Sequence, residues 1–296
     1  MSMKYRAYVT AFILILVSSS ASIADPWTKS VDANLTMTQN AYSDNWIGGE
    51  AGTLSWVFNS NSLFERRLNP TINTKNTLKL FFGQTHSQDR DTKNWEKPLK
   101  STDRIDFETV LRFTFGGFVD PYASGRIESQ FLDQSDRLHG HLVNPVLFTE
   151  SFGIAKVLTK VEKREWTARL GGAFRESLNR YLFDEATGTT QRKTTTDGGV
   201  LFVSDFKTPL ADTTMMIASR LSVYKAFYFS ESQKLEGQFN MDYWKSPDVN
   251  WETLFTANIT KYLMVNLYVQ FLYDKEVDLA GRFKQSLSLG VTYKLM

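Results

Sequence analysis

Long stretches in which apolar and polar side chains alternate constrain the fold of this chain more than any other feature. Between residues 103 and 115, apolar side chains such as Ile105 and Phe107 alternate with charged ones such as Arg104 and Glu108. A period of two residues is that of a β-strand with one apolar and one polar face. Strands of globular proteins are usually about 5–6 residues long, whereas a strand that crosses a membrane needs about 9–11 residues. Alternation of this length therefore favours membrane strands, with the apolar face towards lipid and the charges inside.

The same alternation recurs along most of the chain. It is clearest in residues 165–175, 262–273 and 282–296. The candidate strands are residues 31–38, 51–59, 73–83, 103–115, 122–132, 147–158, 165–175, 198–206, 213–223, 249–260, 262–273 and 283–295.

A further alternating segment, residues 235–243, leaves the number of strands to be decided by the loops. Bacterial outer-membrane barrels have an even number of strands and alternate long external loops with short periplasmic turns. Counted back from a periplasmic C-terminus, this alternation holds only if residues 235–243 lie in the long external connection 224–248, as a loop hairpin or a strand extension. On this count, residues 84–102, 133–146 and 176–197 are also long external loops, residues 60–72 form a connection of intermediate length, and Lys261 marks a tight periplasmic turn.

The N-terminal residues have the pattern of a secretory signal peptide. Lys4 and Arg6 precede an apolar run over residues 7–17, and Ser22-Ile23-Ala24 follows as a small-x-small cleavage site. The apolar run is shorter than the ~20 residues that a membrane-spanning helix needs. The sequence therefore predicts a signal peptide over residues 1–24 and one mature domain over residues 25–296.

Together these patterns predict an all-β fold, namely a transmembrane antiparallel up-and-down β-barrel of about 12 strands. The barrel is expected in the bacterial outer membrane as a monomer, with both termini in the periplasm and lipid and the assembly machinery as its partners. A secreted soluble β-protein is the alternative, but it does not explain the strand length, the loop alternation and the 22 phenylalanines together. The net charge of +2 argues against nucleic-acid binding, and the absence of cysteine excludes disulfides and thiolate metal sites.

The polar face of the strands is the candidate functional site, because it lines the interior of such a barrel. Nine basic and four acidic positions are expected there, and Lys75, Lys79 and Lys284 are among the basic ones. Two hypotheses follow: a narrow pore for small or anionic solutes, or a non-conducting barrel plugged by arginine–carboxylate pairs whose long loops meet partners. The predicted lumen-lining residues are Arg104, Asp106, Glu108, Arg112, Arg126, Glu128, Arg169, Arg175, Arg220 and Glu252.

Other candidate chemistry is weak, and the sequence predicts neither an enzyme nor a cofactor or metal site. His139 and His141 are two residues apart and could share a metal ion, but no third ligand has a matching spacing. Either histidine beside Ser135 is the only local option for a lipid-modifying hydrolase, and no supporting motif accompanies it. The segment around Asp89 lacks the mid-loop glycine and the spacing of a calcium loop.

Three stretches resemble the DUF3078 family of outer-membrane β-barrel proteins, which is known mainly from Bacteroidetes-type bacteria. They are NAYSDNWIGGEAGTLSW at residues 40–56, KSTDRIDFETVLRF at residues 100–113 and, most strongly, the C-terminal stretch from Val249. The resemblance implies an outer-membrane barrel and no established activity. The chain ends Tyr293-Lys294-Leu295-Met296, so that Leu295 takes the place of the terminal aromatic residue that the assembly machinery reads in such chains.

Overall fold

The computed structural model describes residues 27–42, 51–136, 139–184, 187–210, 214–260 and 262–294, so the predicted signal peptide and Lys261 lie outside the described residues. Within these ranges, twelve long strands close into one antiparallel barrel, which confirms the predicted fold class and strand number. The strands that begin the barrel are β1 (Thr28–Asn40), β2 (Thr53–Asn69), β3 (Ile72–Ser87), β4 (Leu99–Phe113) and β5 (Asp120–Ser129). A small hairpin of β6 (Leu132–Asp133) and β7 (His141–Leu142) follows. The remaining strands are β8 (Val146–Val161), β9 (Arg164–Asp184), β10 (Thr189–Leu210), β11 (Met215–Phe229), β12 (Asp248–Asn258), β13 (Leu263–Tyr273) and β14 (Arg282–Lys294).

Each barrel strand pairs with its neighbours in the chain, as an up-and-down barrel requires. The order around the barrel is β1, β14, β13, β12, β11, β10, β9, β8, β5, β4, β3 and β2, with β1 also paired to β2. The β6–β7 hairpin lies outside this ring, in the connection between β5 and β8.

Two of the predicted connections are wrong because the strands are longer than their apolar patterns. Residues 60–72 were expected to form a connection of intermediate length, but β2 runs to Asn69 and β3 begins at Ile72. Residues 176–197 were expected to form a loop, yet β9 and β10 remain paired out to Asp184 and Thr189. A strand that continues beyond the lipid has no reason to keep an apolar face, so alternation of apolar residues ends before the strand does.

The connection between β11 and β12 differs from its expected form. The segment 235–243 was expected to form a loop hairpin or a strand extension, and it forms neither. Residues 230–247 contain two short 3-10 helices, at Ser232–Leu235 and Tyr243–Lys245, joined by hydrogen-bonded turns. The placement of 235–243 in the connection, and hence the count of twelve strands, is right.

The outer face of the barrel is apolar and exposed. Phe152 is 73% exposed and Leu287 70%, although both lie within strands. Contiguous exposed apolar surface of this kind marks a surface that meets lipid or a partner, and on a closed barrel it is the membrane-facing band. No helix in the described part of the chain is long and apolar enough to cross a membrane.

Among the described residues, the seam between β1 and β14 is the shortest ladder between neighbouring strands of the barrel. It joins Asp32–Thr36 to Gly290–Lys294 through five residue pairs, whereas the ladder between β4 and β5 has eight. The strands come close where the ladder ends, because a Cβ at Gly290 would lie 2.5 Å from Cγ2 of Thr36.

Candidate functional site: the charged interior

Side chains from opposite walls of the barrel meet in its interior. β4 and β12 are separated by five strands in either direction around the ring. Even so, Nη1 of Arg104 on β4 donates a hydrogen bond of 2.5 Å to Oε1 of Glu252 on β12. The pair therefore bridges the full width of the barrel. We name the set to which it belongs the first ion cluster, which comprises Lys79, Arg104, Asp106, Arg126, Glu128 and Glu252.

Asp106 is held by two arginines within the first ion cluster. Nε and Nη2 of Arg126 each donate to one of its oxygens at 2.9 Å, and Nη2 of Arg104 donates at 2.6 Å. Such bidentate pairing fixes both distance and angle. Asp106 is only 4% exposed, so the carboxylate has exchanged water for guanidinium groups.

A second ion cluster bridges other strands of the barrel. Glu108 on β4 accepts hydrogen bonds from Arg220 on β11, at 2.6 and 2.9 Å, and from Arg169 on β9, at 2.8 Å. Asp205 on β10 lies 3.5 Å from both arginines. The side chains of Glu108 and Arg169 are only 8% and 7% exposed. The second ion cluster comprises Glu108, Arg169, Asp205 and Arg220.

Both clusters are electrically balanced, which changes the expected charge of the interior. The first has three cations and three carboxylates, and the second has two of each. The sequence predicted nine basic and four acidic side chains in the interior. That prediction omitted five further carboxylates that pair with the nine cations. They are Asp120, Glu165, Asp197, Asp205 and Asp248. Asp205 was detectable, because it alternates with Phe202 and Phe206 in the sequence and so lies on the opposite face of β10.

Arg175 forms a separate mouth cluster near the end of the barrel where β11 and β12 are connected. It donates to Asp197 at 2.8 Å and to Asp248 at 2.7 Å, and its guanidinium carbon lies 3.7 Å from the ring centre of Tyr224. Trp244, from the β11–β12 connection, packs against the buried group that contains Tyr224. The connection therefore folds over this mouth of the barrel. The mouth cluster comprises Arg175, Asp197, Tyr224 and Asp248.

The last of the predicted lumen residues, Arg112, lies towards the opposite end of the barrel. Its Nε is 3.6 Å from Asp120, and Lys75 is paired with Glu165 at 3.3 Å. These side chains are 15–32% exposed, whereas Asp106, Glu108, Arg169 and Glu252 of the two ion clusters are 5–9% exposed. All ten predicted positions thus have a carboxylate or guanidinium partner, and eight of them lie in the two ion clusters.

A carboxylate beside the mouth cluster has a raised pKa. Partial burial, together with the negative charges of Asp274, Asp248 and Asp197, raises the pKa of Glu276 to about 7, and Arg175 opposes the shift. Glu276 lies in the loop between β13 and β14, outside the membrane strands, and retains contact with water. The carboxyl group is therefore largely protonated in the folded protein below pH 7.

We expect Glu276→Gln to stabilise the protein at pH 8 and to have little effect near pH 4.5. A carboxyl group whose pKa is higher in the folded state contributes stability at low pH, and that contribution is lost as pH rises from 4.5 through 7. Glutamine keeps the shape of the protonated carboxyl group and removes the repulsion between the ionised Glu276 and the neighbouring aspartates. Urea unfolding followed by tryptophan fluorescence at the two pH values measures the difference. Glu236→Gln, at an exposed position of another loop, is the control, and an equal gain in both variants would contradict the expectation.

The histidines do not form the sites considered from the sequence. His86 lies within β3 instead of a loop. Nε2 of His141 is 3.1 Å from Asp136, and its ring stacks on Tyr181 with centres 3.9 Å apart. Among the described residues, neither His139 nor His141 is hydrogen-bonded to Ser135, and no group of three His, Cys, Asp or Glu side chains could hold a metal ion.

The loop around Asp89 is closed by its own hydrogen bonds. The backbone N–H groups of Thr92 and Asp91 and the Thr92 hydroxyl donate to Oδ1 of Asp89. These hydrogen bonds lower the pKa of Asp89, and the bond from the Thr92 backbone contributes most. The carboxylate therefore stabilises a turn.

The fold and the interior define a closed transmembrane β-barrel of the kind found in bacterial outer membranes. The predicted resemblance to DUF3078 is confirmed for residues 37–134, which match the model of a family described as "Protein of unknown function (DUF3078)". The match includes two of the three stretches that suggested it, and the C-terminal stretch from Val249 lies outside it. No curated protein matches the chain significantly in sequence.

Several solved outer-membrane barrels are similar to this chain in structure. The COG4313 outer membrane channel from Pseudomonas putida F1 is 13% identical, with 94% of this chain and 96% of that chain covered and a TM-score of 0.42. The translocator domain of the autotransporter NalP from Neisseria meningitidis is 8% identical, with 98% and 95% covered and a TM-score of 0.36. Pseudomonas putida OprB is 9% identical, with 90% and 93% covered and a TM-score of 0.29.

Proposed function

We propose that this protein is a monomeric outer-membrane barrel whose interior is closed by the two ion clusters, so that it does not conduct ions. Its function then lies in what its surface and external loops bind. The observation that carries the proposal is the Arg104–Glu252 pair, which joins opposite walls of the barrel at 2.5 Å. Glu108 and Arg220 form a second bridge between well-separated strands.

The lengths of the connections support an orientation with both termini in the periplasm. At one end of the barrel, the connections are two residues between β2 and β3 and two between β8 and β9. At the other end, residues 130–145 and 230–247 form long connections with structure of their own. Short periplasmic turns and long external loops are typical of outer-membrane barrels.

Charge balance favours the closed barrel over the anionic pore. Selectivity for anions requires positive charge that is available to the solute. Eight of the nine cations expected in the interior have a carboxylate within 4.0 Å, and only Lys284 has none among the described residues. A cation that is paired with a carboxylate leaves little electrostatic field free to attract a solute anion.

Fractionation and planar-bilayer recording test the proposal. We expect the protein in the outer-membrane fraction, with heat-modifiable migration in gels, and no steady current after insertion into a bilayer. A soluble periplasmic pool would contradict the membrane placement. A reproducible single-channel current from the wild-type protein would contradict the closed interior.

A further inference from the structure

In the part of the chain that the structure describes, the ladder between β1 and β14 does not run the full length of the two strands. The ladder between β1 and β14 ends at the pair Thr36–Gly290. Beyond it, residues 37–40 of β1 pair only with β2, and residues 282–289 of β14 pair only with β13. Among the described residues, these two edges have no ladder partner on the side where they face each other. Unpaired backbone groups inside a membrane are unfavourable by several kcal/mol each, so such an edge requires an occupant or water.

The two faces of the unpaired seam differ in polarity. Met37 of β1 and Leu287 and Leu289 of β14 are outward-facing and are 57–70% exposed. On the inner face, Thr38, Asn40 and Ser286 are exposed as well. Inward-facing side chains of a closed wall are normally shielded by their neighbours, so their exposure is evidence for a gap. The gap is apolar towards lipid and polar towards the interior.

Lys284 begins at this gap, on the edge of β14, and its side chain extends into the interior as far as β4. It is on the inner face of β14, and its Nζ donates to the Thr102 hydroxyl at 3.1 Å. Among the described residues, no carboxylate lies within 4.0 Å of its ammonium group, although every other interior cation expected from the sequence has one. A lysine ammonium group has three N–H donors, and those that the Thr102 hydroxyl does not use can bind an anionic oxygen.

We propose that the seam is a lateral binding site for a single-chain anionic amphiphile of the fatty-acid type. The carboxylate binds Lys284 at the inner face, and the acyl chain passes between β1 and β14 to lie along Leu287 and Leu289. The tight approach at Gly290 and Thr36 closes one end of the site, and the ion clusters block movement along the barrel axis. A ligand of this kind therefore enters and leaves through the wall. The inference rests on the membrane placement in the proposed function.

A photoactivatable, clickable sixteen-carbon fatty acid tests the site on full-length mature protein in phosphatidylcholine vesicles. We expect label in residues 37–40 and 283–289, and about tenfold less with the matched uncharged alcohol, because a charge-assisted hydrogen bond contributes about 1.5 kcal/mol or more. Lys284→Gln should reduce labelling by the fatty acid to the level of the alcohol. Lys284→Arg, which keeps the charge, should retain it.

Disulfide crosslinking supplies a second, independent readout. The chain contains no cysteine, so two introduced cysteines can pair only with each other within the chain. Oxidised Met37→Cys/Leu289→Cys protein, in which the seam is fastened, should lose labelling, and reduction should restore it. Leu35→Cys/Val291→Cys, at a position that is already paired, is the matched control and should label normally.

Three results would overturn the proposal. Label spread evenly over the outer face, including the strands around Trp166, would indicate annular lipid only. Labelling that is unchanged in Lys284→Gln would remove the headgroup site. Crosslinks from the seam to a second polypeptide would show that a protein strand occupies the edge. Failure of the membrane placement is distinguishable, because it gives no label anywhere and a soluble protein.

Discussion

Replacement of Arg104, Glu252, Glu108 and Arg220 by serine is expected to turn a silent barrel into a conducting one. These four residues form the two bridges between well-separated walls. Removal of both partners of each bridge leaves the remaining cluster charges balanced, so the variant does not gain an unpaired buried charge. A barrel of twelve strands is wider than the eight-stranded barrels that side chains just fill, so serine leaves room for water.

Planar-bilayer recording measures this gain. We expect a steady current at least tenfold above that of the wild-type protein, an order-of-magnitude expectation for a water-filled constriction. Lys75→Ser/Glu165→Ser, which removes a more exposed pair, is the control and should remain silent. Heat-modifiable migration verifies that both variants fold. A folded fourfold variant without current would show that the barrel is closed elsewhere, for example where Trp244 packs at the mouth.

Glu108→Gln is expected to have the largest effect on stability, a loss of about 3–5 kcal/mol in the free energy of unfolding. Glu108 is the carboxylate closest to both Arg169 and Arg220. Its neutralisation leaves two buried guanidinium groups with Asp205, 3.5 Å from each, as their one carboxylate partner among the described residues. Breaking one side of a buried ion pair is far more unfavourable than removing the whole pair, because the remaining charge stays out of water.

Urea unfolding of vesicle-embedded protein, followed by tryptophan fluorescence, measures this loss. Glu165→Gln makes the same chemical change in a pair that is about 30% exposed. We expect it to lower the free energy of unfolding by about 1 kcal/mol or less. Addition of Arg220→Gln to Glu108→Gln should recover part of the stability. A Glu108→Gln variant within about 1 kcal/mol of wild type would contradict the buried character of the second ion cluster.

Much of this architecture could be predicted from the sequence, because lipid imposes an alternation that is visible residue by residue. All twelve strands coincide with segments such as residues 103–115 and 262–273, where one face must be apolar. The ends of the strands could not be predicted in the same way. Beyond the lipid, as in Arg175–Asp184 of β9, backbone pairing persists without any constraint on side-chain polarity.

The interior was less predictable because alternation indicates a face and not a partner. The position of Arg104 on the inner face of β4 follows from the period of two, but its contact with Glu252 depends on the tilt and stagger of the whole barrel. The two residues are 148 positions apart in the sequence, and nothing between them signals that contact. Asp205 was missed for a related reason, since it lay in a predicted strand whose inward-facing charges were not all counted. Asp248 was missed because the predicted strand began at residue 249, and residues 224–248 were expected to form an external connection.

The charge balance of the ion clusters has a consequence for the response of the barrel to voltage. Moving one elementary charge through 100 mV changes the free energy by about 2.3 kcal/mol, which is why unbalanced charges make many pores voltage-sensitive. The first ion cluster has three charges of each sign and the second has two of each. A field along the barrel axis therefore pulls equally in both directions on each cluster and exerts no net force on it. The barrel should stay shut at either polarity.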